Sequence, residues 1–158
     1  MTGHRNARFS LSVGCFSALL AIAIACSGGD IRPCNDCPQV AGQWRLHYET
    51  GTSPSKACEQ LGRTTPPDTL DLEQVGSALS STFEDVPLRG TLYDTYDFSL
   101  NGTQQVPDAG SVSISINGRF VPALEVTDAG ERLQGTFVGT YGTGEACVIS
   151  RGYTAERL

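Results

Sequence analysis

The chain is poor in the residues that many activities rely on. Its 158 residues include one tryptophan, one methionine and, among eleven Lys plus Arg, a single lysine, Lys56. Phosphate backbones are bound by clustered Lys and Arg, and the formal charge here is −6, so nucleic acid is excluded as a partner. A polybasic membrane patch is excluded on the same ground. No apolar run reaches the ~20 residues that cross a bilayer, which argues against a permanent transmembrane helix. After residue 30 the only histidine is His47, and no G-x-S-x-G elbow occurs, so nucleophilic catalysis lacks its usual parts. At 158 residues the chain is one domain's worth, too short for separate cofactor and substrate lobes.

What is present begins with an address. Arg5 and Arg8 precede the first acidic residue, Asp30, and residues 11–25 are mostly apolar, broken by Ser12, Gly14 and Ser17. A basic start, a short apolar region and small residues before a cut make a signal-peptide pattern. The stretch closes with Ala23-Ile24-Ala25-Cys26, which resembles a bacterial lipobox. That resemblance implies cleavage before Cys26, acylation of Cys26 and a membrane-anchored lipoprotein. Ser27 follows where aspartate is absent, resembling lipoproteins sent to an outer membrane. Ala23 stands where the family more often has leucine, so ordinary cleavage to a secreted or periplasmic protein is the alternative. Loss of Arg5 and Arg8 leaves nine basic against seventeen acidic side chains, or −8. An anionic leaflet repels such a body, so attachment has to come from lipid.

Export opens a disulfide-permissive compartment. With Cys15 in the leader and Cys26 on lipid, Cys34, Cys37, Cys58 and Cys147 remain, and four cysteines allow three pairings. The expected pairing is Cys58–Cys147, closing most of the folded body, with Cys34–Cys37 as a local loop. Cys34-Asn35-Asp36-Cys37 is also a CxxC, but Pro33 and Pro38 bracket it and no βαβ pattern follows, which disfavours redox chemistry. Zinc held by Cys34, Cys37, His47 and Cys58 is a weaker alternative, since the spacing is irregular. No metal or cofactor is expected.

Residues 26–40 carry Gly28, Gly29, Pro33 and Pro38 and read as a lipidated N-terminus and flexible tether. The folding unit is expected over 41–158, after a signal peptide at 1–25. Alternation starts at once: Gly42, Trp44, Leu46 and Tyr48 share one face, and Gln43, Arg45, His47 and Glu49 the other. One helical turn is expected from Lys56 to Gly62. Further strands are read over 69–75, 79–86, 88–96, 96–100, 111–116, 119–121, 124–127, 132–141 and 146–154. Asn101-Gly102 is read as a strand end and Asn117-Gly118 as a hairpin turn. Roughly eight strands joined by short turns predict an all-β, antiparallel up-and-down barrel, closed so that no edge is exposed; a β-sandwich is the alternative.

Gly42-Gln43-Trp44 on the first strand resembles the G-x-W signature of lipocalins and related calycin barrels. In that family an Arg or Lys from the last strand packs across the tryptophan at the closed end. The resemblance implies Arg151 as that residue, giving a barrel-closing pair of Trp44 and Arg151. The chain is shorter than a typical lipocalin and lacks a clear C-terminal helix, which puts the family's large ligand cavity in doubt.

Catalytic chemistry is not expected. Asp71 and Glu73 share an outward face and read as solubility, while Asp94 and Asp97 sit near a bend where aspartate forms turns. Two functions of different class follow. One is a lipid-anchored, monomeric barrel that binds a small hydrophobic ligand at the cell envelope. The other is a module that binds an envelope protein or inhibits a protease. An internal void open to solvent favours the first; an interior packed through by Leu, Ile and Phe favours the second.

Overall fold

The computed structural model describes residues 31–51, 54–107, 110–123, 130–142 and 147–158. The expected signal peptide, Cys26 and the strand expected over 124–127 lie outside them. Eight antiparallel strands follow one another around a closed barrel: β1 (Gly42–Tyr48), β2 (Thr69–Val75), β3 (Ala78–Phe83), β4 (Val86–Leu92), β5 (Asp97–Val106), β6 (Gly110–Val121), β7 (Arg132–Gly142) and β8 (Cys147–Arg157). β8 returns to pair with β1, Trp44 opposite Arg157 and Tyr48 opposite Tyr153. Closure leaves no outer edge strand, which is how such sheets avoid pairing with other chains. A short helix, α1 (Lys56–Gln60), sits between β1 and β2, its first turn capped by the Ser55 hydroxyl accepting from the Cys58 N–H.

The period-2 pattern decides what faces in. Trp44 and Leu46, Leu70 and Leu72, Leu88 and Leu92, Ile114 and Ile116, Phe137 and Tyr141 are buried, while Gln43, Arg45, Asp71 and Glu73 between them stay wet. The inward side chains form one continuous cluster running from Val40 and Trp44 to Cys58 and Cys147. Eight strands make an interior that side chains alone can fill, and here they do.

Three readings from sequence are corrected. Asn117-Gly118 is not a turn: β6 runs straight through it, with Gly118 opposite Phe98 on one side and Gly135 on the other. Its glycine serves close approach instead. A Cβ on Gly118 would lie 2.6 Å from the Tyr153 hydroxyl, and one on Gly135 2.0 Å from the Asn117 carbonyl oxygen. The paired glycines thus leave room for the Tyr153 side chain, opposite Gly135, to lie against the wall. Likewise β5 does not stop at Asn101-Gly102 but continues to Val106, because the ladder to β6 outweighs the local turn preference. The third correction concerns the tether. Its described part, residues 31–40, is docked on the barrel, with Cys34 N–H donating to the Leu92 carbonyl at 3.0 Å and Val40 fully buried.

Candidate functional site

One end of the barrel is closed by Trp44 and the segment before β1. The indole N–H donates to the Val40 carbonyl at 2.9 Å. The Gln74 side chain clips the same segment, accepting from the Val40 N–H at 2.8 Å and donating to the Pro38 carbonyl at 3.0 Å. Over the indole lies Arg157, not Arg151: its guanidinium carbon is 4.5 Å from the ring centroid. Arg157 also donates to the carbonyls of Gln39 and Ala41 and to the Glu131 carboxylate. Arg151 shares the inward phase but sits opposite Phe137, toward the other end. Phase was legible in β8; the register that puts Arg157 opposite Trp44 was not.

The opposite end carries α1, tied down by the Cys58–Cys147 disulfide. Cys34 and Cys37 form the second disulfide, so the proposed zinc ligand set is split between two bridges and an exposed His47. Two disulfides agree with an oxidising, exported environment. Near α1, Arg63 lies over the Tyr141 ring at 5.1 Å and pairs with the almost fully buried Glu84 at 3.2 Å without hydrogen-bond alignment. Glu84 and Asp85 form the two-residue turn between β3 and β4 with φ of 51° and 64°, the left-handed region that normally takes Asn-Gly. The Glu84 carboxylate is thus aimed inward by a strained backbone. Burial pushes the Tyr48, Tyr141 and Tyr153 phenols well above their ordinary value; at Tyr141 the facing Glu84 adds to this and Arg63 opposes it. Sequence reasoning missed this group, because its members come from α1's neighbourhood, a turn and β7.

A recess of about 160 Å³ at the α1 end is lined by Leu61, Arg63, Val106, Val112, Tyr141 and Gly142. Three larger hollows among the described residues lie on the outer wall. One surrounds Gly118 and Gly135, and another surrounds His47, which meets Glu156 at 3.2 Å. A third, of about 460 Å³, lies over β2, β3 and β4, lined by Asp71, Glu73, Ser80, Thr82, Pro87 and Arg89. Among the described residues no three His, Cys, Asp or Glu side chains are grouped to hold a metal. In the two carboxylate pairs, Glu73 accepts a hydrogen bond from the Ser80 hydroxyl at 3.0 Å and Asp97 one from the Thr95 hydroxyl at 2.7 Å. Comparison with family models, with curated proteins and with solved structures finds no match for this chain.

Proposed function

We propose that this protein is an exported, lipid-anchored recognition module, non-catalytic and monomeric, which binds a protein partner of the cell envelope through its outer wall. The observation that carries this reading is the filled interior. Trp44, Phe83, Phe120, Phe137 and Tyr153 pack with Leu70, Leu88 and Leu100 along the barrel axis. The 160 Å³ recess at its mouth falls below the ~300–1,000 Å³ of sites that enclose a small ligand. A small hydrophobic ligand, the other expectation, would have to displace core side chains.

The outward positions of the wall are polar, among them Gln43, Arg45, Asp71, Glu73, Ser115 and Gln134. Such a wall suits water rather than acyl chains, so attachment at a membrane falls to lipid on Cys26, outer-membrane placement following from Ser27. The described chain enters at the Trp44 end, where Pro33 bridges to Tyr93. Anchored there, the barrel would hold its α1 end away from the bilayer.

The test is intact-mass analysis and in-cell cross-linking of the mature chain from its host. The expected result is a mass set by cleavage before Cys26 plus acyl chains, two disulfides, and cross-links from the outer wall to a protein. A small apolar molecule retained at one per chain would overturn the recognition reading. An unacylated N-terminus would overturn the anchor.

A further inference from the structure

Five large apolar side chains stand exposed among the described residues: Ile31, Leu61, Val75, Val148 and Leu158. Scattered singly, such residues need no explanation. Three of them come to one end of the barrel. Val75 ends β2 at the turn into β3, and Leu158 follows β8 with its N–H donating to the Gln43 carbonyl at 2.9 Å. Ile31 precedes Arg32, whose carbonyl accepts from the Asp94 N–H at 3.0 Å just past β4. In an antiparallel meander the ends of β2, β4 and β8 share a rim with the start of β1, and this is the end that Trp44 and Arg157 close. The three are also the most exposed of the five, Val75 at 82%, Ile31 at 71% and Leu158 at 56%.

The turns on this rim suit the same face. Val75-Gly76-Ser77-Ala78 carries no charge, and Val75, Gly76 and Ala78 in it are exposed. The turn from β4 to β5 presents half-buried Tyr93 and Tyr96. A ring with a hydroxyl tip is the side-chain type that settles where apolar and wet surroundings meet. Both signs of charge are present: Arg32 is exposed with Asp36 and Asp94, and Arg157 is paired with Glu131. Attraction by charge is therefore weak here, and contact falls to apolar and phenolic groups. The α1 end has a different character. It carries Leu61 and Val148, but with exposed Glu59, Asp68 and Asp85 against Lys56 and Arg63.

The length of chain up to Cys26 indicates what covers this face. Four residues, Ser27 to Asp30, separate Cys26 from Ile31. Even fully extended they allow Ile31 to stand no more than about 18 Å from Cys26. Beyond Ile31 the chain has no slack to give. Pro33 bridges to Tyr93, the Cys34 N–H donates to the Leu92 carbonyl, and the Val40 carbonyl accepts from the Trp44 indole. Acyl chains on Cys26 therefore bring the Trp44 end to the lipid headgroups and leave the α1 end a strand's length away. Because the anchor makes the contact intramolecular, a modest apolar surface is enough to set an orientation. We propose that the Trp44 end seats on the bilayer that holds the acyl chains, with Ile31, Val75 and Leu158 entering the headgroup region and the barrel standing end-on. This rests on the reading of Cys26 as the lipid anchor, and it leaves the outer wall clear for a protein partner.

The test uses the acylated mature chain in zwitterionic phosphatidylcholine bicelles that contain a lipid spin-labelled near its glycerol backbone. Paramagnetic relaxation of the backbone amides is read residue by residue, after intact mass has shown whether Cys26 carries acyl chains. The Val75, Gly76 and Thr95 amides are expected to relax at least fivefold faster than those of Glu59 and Leu61. The double variant Ile31→Glu, Val75→Glu lowers that ratio at least threefold with an unchanged melting temperature, since both side chains are exposed; Leu61→Glu leaves it as it was. Equal relaxation at the two ends of the acylated chain would show a barrel held clear of the bilayer, and the inference fails while the anchor stands. It fails equally if relaxation is fastest along the wall, at Ser115 and Gln134, or if the double variant leaves the ratio unmoved. A chain that reaches the membrane without acyl groups overturns the anchor, and this inference with it.

Discussion

Arg157, the last residue of β8, lies with its guanidinium 4.5 Å from the centre of the Trp44 ring, directly across the β1–β8 ladder. The same side chain reaches two main-chain carbonyls of the segment before β1 and the Glu131 carboxylate. One residue thus fastens the barrel's closure, its floor and its incoming chain. Arg157→Ala is expected to lower the unfolding free energy by about 2 kcal/mol, combining a cation–π contact with charge-assisted hydrogen bonds. Arg157→Lys recovers less than half, because an ammonium cannot stack and fork at once. Arg151→Ala leaves the Trp44 emission spectrum unchanged. Urea denaturation followed by tryptophan fluorescence measures all three.

The Arg151 expectation shows what the sequence can and cannot carry. Arg151 and Arg157 share one alternation phase, and phase is a local property of β8. Which of them meets Trp44 depends on register with β1, more than a hundred residues away. Asn117-Gly118 shows the converse: a strong local turn signal overridden by pairing on both sides. The strand count and the inward faces were legible because burial imposes period 2. The docked segment at 31–40 was not, since Pro33 and Pro38 suggested a free linker and Val40 and Cys34 in fact anchor it.

The Cys58–Cys147 bridge joins positions 89 residues apart and fixes α1 to the start of β8. Replacing both cysteines by serine is expected to cost about 3–5 kcal/mol through the freed unfolded chain. Replacing Cys34 and Cys37, which close a loop of sequence separation 3, costs clearly less. Guanidinium midpoints of the two double variants against the parent chain give the comparison.

Filling of the interior has its own energetic signature. Phe137 is buried between Phe83, at 5.6 Å between ring centres, and Tyr48, at 6.0 Å. Phe137→Ala is expected to cost about 3–5 kcal/mol, transfer and cavity terms together. The vacated space should also accept benzene or xenon, which the parent chain refuses. Thermal melts with and without benzene test both statements.

Stability is expected to fall at high pH. The folded phenols of Tyr48, Tyr141 and Tyr153 are held above the ~10 of an unfolded tyrosine by burial. Their contribution is complete below pH ~10 and is lost as the pH rises beyond it, because only the unfolded chain then releases those protons. Melting temperature should therefore drop steadily above pH ~10. Phenolate absorbance from these three side chains should appear together with unfolding and not before it.

The most direct test is a nuclear magnetic resonance titration of the mature chain with decanoic acid. A filled barrel that works through its wall predicts no shift of the buried Leu70, Leu88, Leu100 and Ile116 methyls with the fatty acid. Saturable shifts of those interior methyls with decanoic acid would contradict it.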